Sequence, residues 1–444
     1  MTLDQTDLLA ALIARARAAG ADAADAVMLG GTALSVERRL GRLEGLERSE
    51  SRDLGLRVLV GRRQAIVSST SVDPAGFAAL AERAVAMARV VPEDPFAGLP
   101  ETALATEVPD LDLADAAEPE AAALAERAAR AEEAALAVAG VTNSEGAGAS
   151  YARVEVVLVS SAGFAGHYAR TSHSVSASVL AGTGTGMQRD YDYATSVHLA
   201  DLPDPAGIGR AAGERAVARL NPSRPATARM PVVFDPRVAG GLLGHLAGAI
   251  NGAAVARGTS FLKDRLGERI FAPGIAIHDD PLRPRGLRSR PFDGEGLAAR
   301  PLGLVEDGYL RGWLLDTRSA RQLGLASNGH AGRSTGGPPG PSPTNLYLAP
   351  GPLAPEALIA DIAQGFYVTE LIGMGVNMIT GDYSRGAAGF MIRNGERAES
   401  VAEVTIASTL PEMFAHLTPA SDLAFRRGTD SPTVRVEGMM LAGA

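Results

Sequence analysis

Apolar residues recur along this chain in two rhythms. Helical spacing marks a segment from about Leu8 to Ala19 and a second after Asp73 and Pro74, with Phe77, Leu80, Ala81, Ala84 and Ala88 on one side. It returns in an Ala/Glu/Arg segment over Glu120–Ala139 and again over Gly207–Leu220. Alternation at every second position marks strands instead. ALSVERRL, GRLEGLERSESRDLGLRVLV and RRQAIVSS follow a lead-in, GADAADAVMLGG, near the amino end. ARVEVVLVSS, HSVSASVLAG and DYDYATSVHL then predict a meander between Ala152 and Leu199, one face apolar and the other Ser, Thr, Tyr and charge. The Gly182–Gly186 run lies between two of these strands. A phosphate cradle needs a strand before such a run and a helix after it, so the run reads as a hairpin tip.

A short apolar strand, PVVFDP, feeds the stretch Val238–Ile270, around which the remaining pattern is organised. Asp235 suits a helix cap and Pro236 the first turn, and Val238, Leu242, Leu246 and Ala249 recur at helical spacing. The predicted helix is rich in Gly and Ala, so another backbone can approach it closely. Its one titratable side chain is His245, flanked by Gly244, Gly248 and Ala249. Further on, Asp307-Gly308 and Asn394-Gly395 signal tight two-residue hairpins. Two Gly-rich segments stand out as loops: GHAGRSTGGPPGPSPTNLYL, either disordered or a working loop, and GMGVNMITGDYSRGAAGF.

These elements give an α+β fold, with helix-flanked antiparallel sheets in the N-terminal and central regions and a strand-rich C-terminal domain carrying the Gly/Ala-rich helix. The regions divide as an N-terminal domain over 1–95, a Pro/acidic linker over 96–119, a central helix-plus-meander domain over 120–228 and a C-terminal domain over 229–444. A chain of 444 residues, 46% hydrophobic, can bury several cores. Its net charge is −9 and no local basic run departs from that, so neither direct nucleic-acid binding nor attraction to anionic lipid is expected; Lys263 is its single lysine, a composition bias with little functional content. The absence of cysteine excludes disulfides, thiolate nucleophiles and thiolate metal ligands. MTLDQTDLLAALIARARAAG lacks the basic-then-apolar layout of a secretory signal, and no run approaches the ~20 apolar residues that span a bilayer. A cytoplasmic location is the expectation.

The histidines, His167, His173, His198, His245, His278, His330 and His416, are scattered; no pair has helical metal-ligand spacing, and neither a nucleophile elbow nor a P-loop occurs. His167, His173 and His198 read as polar strand residues. His330, in the Gly/Pro loop, is a candidate ligand contact, and His278-Asp279-Asp280 is either a solvated turn or a metal-binding cluster.

DLGLRVLVGRRQAIVSSTS, GTSFLKDRLGERI, SPTNLYL, VTELIGMGVNMITGDYSRGAAGFMIRNGE and SPTVRVEGMM together resemble the TldD/PmbA metalloprotease family over nearly the whole chain, on its PmbA (TldE) branch. The resemblance implies a heterodimer. A TldD-like subunit carries zinc on a helix with an H-E-x-x-x-H motif, plus a cysteine near its carboxyl end, and the PmbA branch lacks both. The pair is associated with degrading unfolded or short peptides, an antitoxin among them, and with trimming a microcin leader; an older name is modulator of DNA gyrase. Placed on this chain, LLGHLAGA puts Gly244 at the first ligand position, His245 at the catalytic glutamate and Ala249 at the second ligand, with the cysteine position near Ser421 and Asp422.

The leading expectation is therefore a non-catalytic subunit that binds no cofactor itself, with zinc in a TldD-like catalytic partner and His330, Asn377, Ser384 and Arg385 as cavity or interface contacts. A stand-alone homodimeric peptide-binding or regulatory protein without peptidase activity is the alternative. A hydrolase using His278, Asp279 and Asp280 as a relocated metal site is the third.

Overall fold

The computed structural model describes residues 5–101 and 104–443. The first half of the chain builds one sheet. Helix α1 (Gln5–Ala18) leads into β1 (Ala23–Arg39), β2 (Arg42–Val60) and β3 (Arg63–Ser69), followed by α2 (Phe77–Val90), α3 (Ala121–Leu136), β4 (Val141–Ser160), β5 (Ala165–Ala181), β6 (Gln188–Ser196) and α4 (Pro205–Ala218). The strand order is β3-β2-β1-β4-β5-β6, antiparallel throughout. Strand β1 pairs with β4 from Asp25↔Ser160 to Arg38↔Ala147, so the N-terminal and central regions share one continuous sheet.

Alternation along the strands sorts residues between two faces. Ala24, Ala26 and Met28 pack with Leu9, Leu12, Phe77 and Ala84 of α1 and α2. Farther along the same strand, Leu34 and Val36 meet Leu124 and Ala128 of α3. The opposite face of β1 presents Val27 to Phe292 of the C-terminal region. Pattern reading starts this strand at Ala33, whereas the structure starts it at Ala23. With both faces covered, residues 23–29 are apolar apart from Asp25 and leave little alternation to read.

The linker after α2 is irregular and tied at several points: Asp94 N–H donates to Arg62 O, and Leu113 O accepts from Thr171 N–H, both at 2.8 Å. Gly182–Gly186 is indeed the connection between β5 and β6, closed by a short 3₁₀ turn.

The C-terminal region begins with β7 (Ala228–Phe234), α5 (Pro236–Ala249) and α6 (Gly252–Ala256). It continues through β8 (Ile277–Asp279), β9 (Leu302–Glu306), β10 (Tyr309–Leu310), α7 (Thr317–Gln322), β11 (Ala331–Gly332), β12 (Gly340–Pro341), β13 (Leu346–Leu348) and α8 (Pro355–Ile359). Then come β14 (Gln364–Ile372), β15 (Asp382–Arg393), β16 (Glu396–Thr409), α9 (Leu410–Ala415), β17 (Leu417–Pro419), β18 (Thr429–Asp430) and β19 (Val434–Ala442). One sheet runs β16-β15-β14-β7-β19-β17, and an extra β16–β19 pairing closes it on itself. The second runs β10-β9-β8-β13-β18. Residues of both sheets and of α5 form the largest core, including Phe234, Leu246, Ile277, Trp313, Phe366 and Met391. Asp307-Gly308 and Asn394-Gly395 are two-residue hairpin tips with positive φ at both positions.

The Gly/Pro loop is ordered and runs against the first sheet. A Cβ on Gly55 of β2 would collide with Thr335 backbone, and Arg333 Nη2 donates to Asp25 Oδ1 at 2.6 Å. Arg57 pairs with the other oxygen of the same carboxylate. Burial works against ionising Asp25, but the Arg57 and Arg333 guanidiniums outweigh it and hold its carboxyl below the usual range.

Candidate functional site on the glycine-rich helix

Helix α5 starts where the sequence places it. Asp235 Oδ1 accepts from Arg237 N–H at 2.9 Å, and Pro236 occupies the first turn. Ala239, Leu242, Leu243, Leu246, Ala247 and Ala249 are buried. Gly241, Gly244 and Gly248 form an exposed stripe, with half-buried His245 beside it. A Cβ on Gly248 would lie 3.3 Å from Met378 Cε, whereas one on Gly241 or Gly244 would meet nothing.

Strand β15 faces this helix with alternate residues. Tyr383 and Ala387 lie in the α5 core cluster, which puts Arg385 on the same face and Ser384 on the other. The Tyr383 ring stands edge-on to His245, centroids 5.9 Å apart and planes at 77°. Burial pushes the His245 ring below its usual range, and the Arg385 guanidinium pushes it further the same way. His245 is therefore a neutral imidazole at neutral pH, beside a fixed positive charge. Burial raises the Tyr383 phenol well above its usual range, and its hydroxyl and the Arg385 Nε are buried without a hydrogen-bond partner.

The loop between β14 and β15 borders this face. Asn377 is exposed and shapes the loop: its Oδ1 accepts from Ile379 N–H at 2.9 Å, and its own N–H donates to Asp382 O at 2.9 Å. Ile372, Met374 and Ile379 project outward, Met374 91% exposed.

The positions singled out from sequence separate in space. Gly244 opens onto solvent, while Ala249 is 0% exposed, so a side chain there points into the core. His330, read as a possible ligand contact, is fully buried. Its Nε2 lies 3.1 Å from Asp279 Oδ1 and its Nδ1 3.1 Å from Asn328 O, a structural placement between β8 and the Gly/Pro loop. Asp279 also accepts from Thr344 N–H at 2.7 Å, across 65 residues, and Asp280 Oδ1 caps Leu282 N–H two residues on at 3.0 Å, so both carboxylates are engaged by backbone. Asp422 accepts from Thr433 N–H and Oγ1. Only Arg385 of the candidate contacts joins His245. Tyr383 completes that group without having been singled out; its signal was its place two residues before Arg385 on a strand.

A hydrolytic zinc site needs about three protein ligands and a carboxylate base. Here one neutral imidazole nitrogen faces an arginine, the second ligand position points inward, and the charged side chain acting on the ring is a cation. The residues present do not fit a zinc ion.

Three domain models of one family match the chain in order: PmbA/TldA metallopeptidase domain 1 over 24–88, the central domain over 112–220 and the C-terminal domain over 227–443. The metalloprotease PmbA of Escherichia coli O157:H7 is 38% identical over 95% of this chain and 92% of its own length. A crystal structure of a putative modulator of DNA gyrase from Bacteroides thetaiotaomicron superposes with a TM-score of 0.91 at 25% identity, covering 100% of both chains. TldE from Thermococcus kodakarensis shares the fold, with a TM-score of 0.88 at 21% identity over 98% of this chain and 100% of its own. By sequence along its whole length and by fold, the chain belongs to the PmbA/TldD metallopeptidase family.

Proposed function

We propose that this chain is the non-catalytic subunit of a two-chain TldD/PmbA-type zinc peptidase acting in the cytoplasm on unfolded or short peptides, as in peptide maturation or antitoxin degradation. The observation that carries this reading is the donor set on α5. His245 offers one neutral nitrogen beside Arg385, Gly244 offers no side chain, and Ala249 is buried. Zinc and its general base then come from a TldD-like partner, and this chain supplies one wall of the substrate space: the open glycine stripe, His245 and the apolar loop around Met374. A backbone free of side chains at Gly241 and Gly244 admits close approach by an extended peptide or by the partner's own chain. Without its partner the chain is a homodimer in this reading.

The test is peptidase activity on an unstructured peptide with this chain alone, with the TldD-like chain alone and with both, each with and without a zinc chelator. Activity in the mixture alone, abolished by chelator, is the expected result. Chelator-insensitive cleavage by this chain alone overturns the reading.

A further inference from the structure

An open groove runs beside the outer edge of β6, where the first sheet meets the C-terminal region, and shares no residue with the α5 face. Its volume is about 480 Å³, ample for a short length of chain. One wall is β6 itself, from Tyr193 to Ser196; the other is built by the loop 283–287 with Phe425 and Arg426. Strand β6 is the last of its sheet. Arg215 and Arg237 each donate an Nη1 N–H to Tyr191 O, at 3.4 and 3.3 Å, so the backbone of Tyr191 faces away from β5. Antiparallel pairing repeats at every second residue, so Tyr193 and Thr195 turn their N–H and C=O groups to the same outer edge, and no strand among the described residues takes them.

An unpaired edge is usually closed to other chains by a proline, a lysine or a bulge. Between Tyr193 and Ser196 the strand has none of these. The facing wall adds charge. Arg283 lies over the Phe425 ring, 3.4 Å from its centroid, and Arg426 is exposed; neither guanidinium has a carboxylate partner among the described residues. The two carboxylates that line the groove are already spent. Asp201 pairs with Arg285 at 3.0 Å, and buried Asp430 accepts from the N–H groups of Arg426, Arg427 and Gly428. The groove therefore offers strand-type backbone partners on one side and uncompensated positive charge on the other.

We propose that this groove binds an extended acidic peptide segment, which pairs with the outer edge of β6 through Tyr193 and Thr195 and sets an acidic side chain against Arg283 and Arg426. Strand addition reads the backbone that every sequence carries, and the two arginines supply the preference. The site is separate from the α5 face, and the inference does not depend on the accessory-subunit reading.

Fluorescence anisotropy of the full chain with end-blocked, labelled hexapeptides tests it. A peptide alternating valine and glutamate should bind saturably, and its valine-lysine counterpart about tenfold more weakly or worse, the worth of one charged hydrogen bond. Two further versions of the glutamate peptide carry methyl groups on every second backbone nitrogen, on the valines in one and on the glutamates in the other. Only one of these sets can face β6, so one version should lose binding about tenfold more than the other. Arg426→Glu reverses an exposed charge and should weaken the glutamate peptide while strengthening the lysine one. Thr195→Pro removes an outward donor and no bond to β5, and should weaken both. Thermal melts of the two variants check that they fold; if one does not, the other decides. Absence of saturable binding, equal effects of the two methylation patterns, or a folded variant that binds as tightly as the natural chain overturns the proposal. Self-association abolished by Thr195→Pro, without peptide binding, would assign the edge to a second copy and also overturn it. The peptidase test reads cleavage by mixed subunits, so either proposal can fail without the other.

Discussion

Replacing Glu295 by Gln should make the protein more stable at alkaline pH and leave it nearly unchanged at acidic pH. Glu295 is buried, and its carboxylate accepts from Thr317 N–H at 2.7 Å. Burial pushes its carboxyl up from 4.5 to about 7, and the neighbouring Asp293 adds to the shift. A group whose folded-state titration lies above its unfolded one binds more protons when folded. Its contribution is therefore fully present below about pH 4.5 and lost as pH rises through about 7. At about 1.4 kcal/mol per pH unit between the two titrations, the loss is about 3 kcal/mol, and Asp293, also raised by burial, moves the same way. Asp25 acts in another window, since its lowered carboxyl loses its stabilisation only as the pH falls below the normal carboxylate range. Gln keeps an oxygen for Thr317 and does not titrate. For a unit of this size about 3 kcal/mol corresponds to roughly 6–12 °C in Tm. The assay is thermal unfolding of both proteins from pH 5 to pH 8. Curves that stay parallel across that range would refute the reasoning.

Other perturbations probe the interdomain contact and the α5 face. Asp25→Asn leaves two buried arginines without their shared carboxylate and should cost about 3–5 kcal/mol in urea unfolding at neutral pH; a loss under 1 kcal/mol would mean the contact is not held by charge. Arg385→Gln removes the weaker of the two effects on His245, so NMR titration of the ring should show its pKa rising while remaining below the ordinary value, burial being the larger cause. Ala249→His forces an imidazole into a fully packed position and should cost about 1–3 kcal/mol. Combining it with Gly244→His and His245→Glu should still give no stoichiometric zinc by metal analysis, and bound zinc would show that the helix end repacks.

Local chemistry was legible wherever a residue decides its own backbone. Asp307-Gly308 and Asn394-Gly395 name their turns because Asp, Asn and Gly tolerate positive φ, and Asp235-Pro236 names a helix start because cap and ring each fit one position. Contacts between distant segments were not legible. Nothing local joins β1 to β4 across more than a hundred residues, or Asp25 to Arg333 across 308, since each partner alone reads as an ordinary strand or loop residue. The candidate site was half legible for the same reason. Period-two alternation says that Ser384 and Arg385 point opposite ways, but which of them meets α5 depends on a packing that the strand's own residues do not encode.

The glycines of α5 carry the remaining argument. Each glycine inside a helix costs about 1 kcal/mol relative to alanine unless space forbids a Cβ. Space explains Gly240, whose Cβ would lie 2.9 Å from Thr429 O, and partly Gly248, but a Cβ on Gly244 meets nothing and its φ is ordinary for a helix. Within this chain alone, then, Gly244 is a local loss of stability with no return, and the return has to come from something that approaches the helix from outside. Gly244→Ala should raise the stability of the isolated chain by about 0.5–1 kcal/mol. If a peptide or a partner backbone passes over this stripe, the same variant should lower peptide cleavage by the mixed subunits, since a methyl group now stands in that path. A variant that is stabilised and equally active in the mixture would place the substrate space away from α5 and leave the glycine stripe without a function.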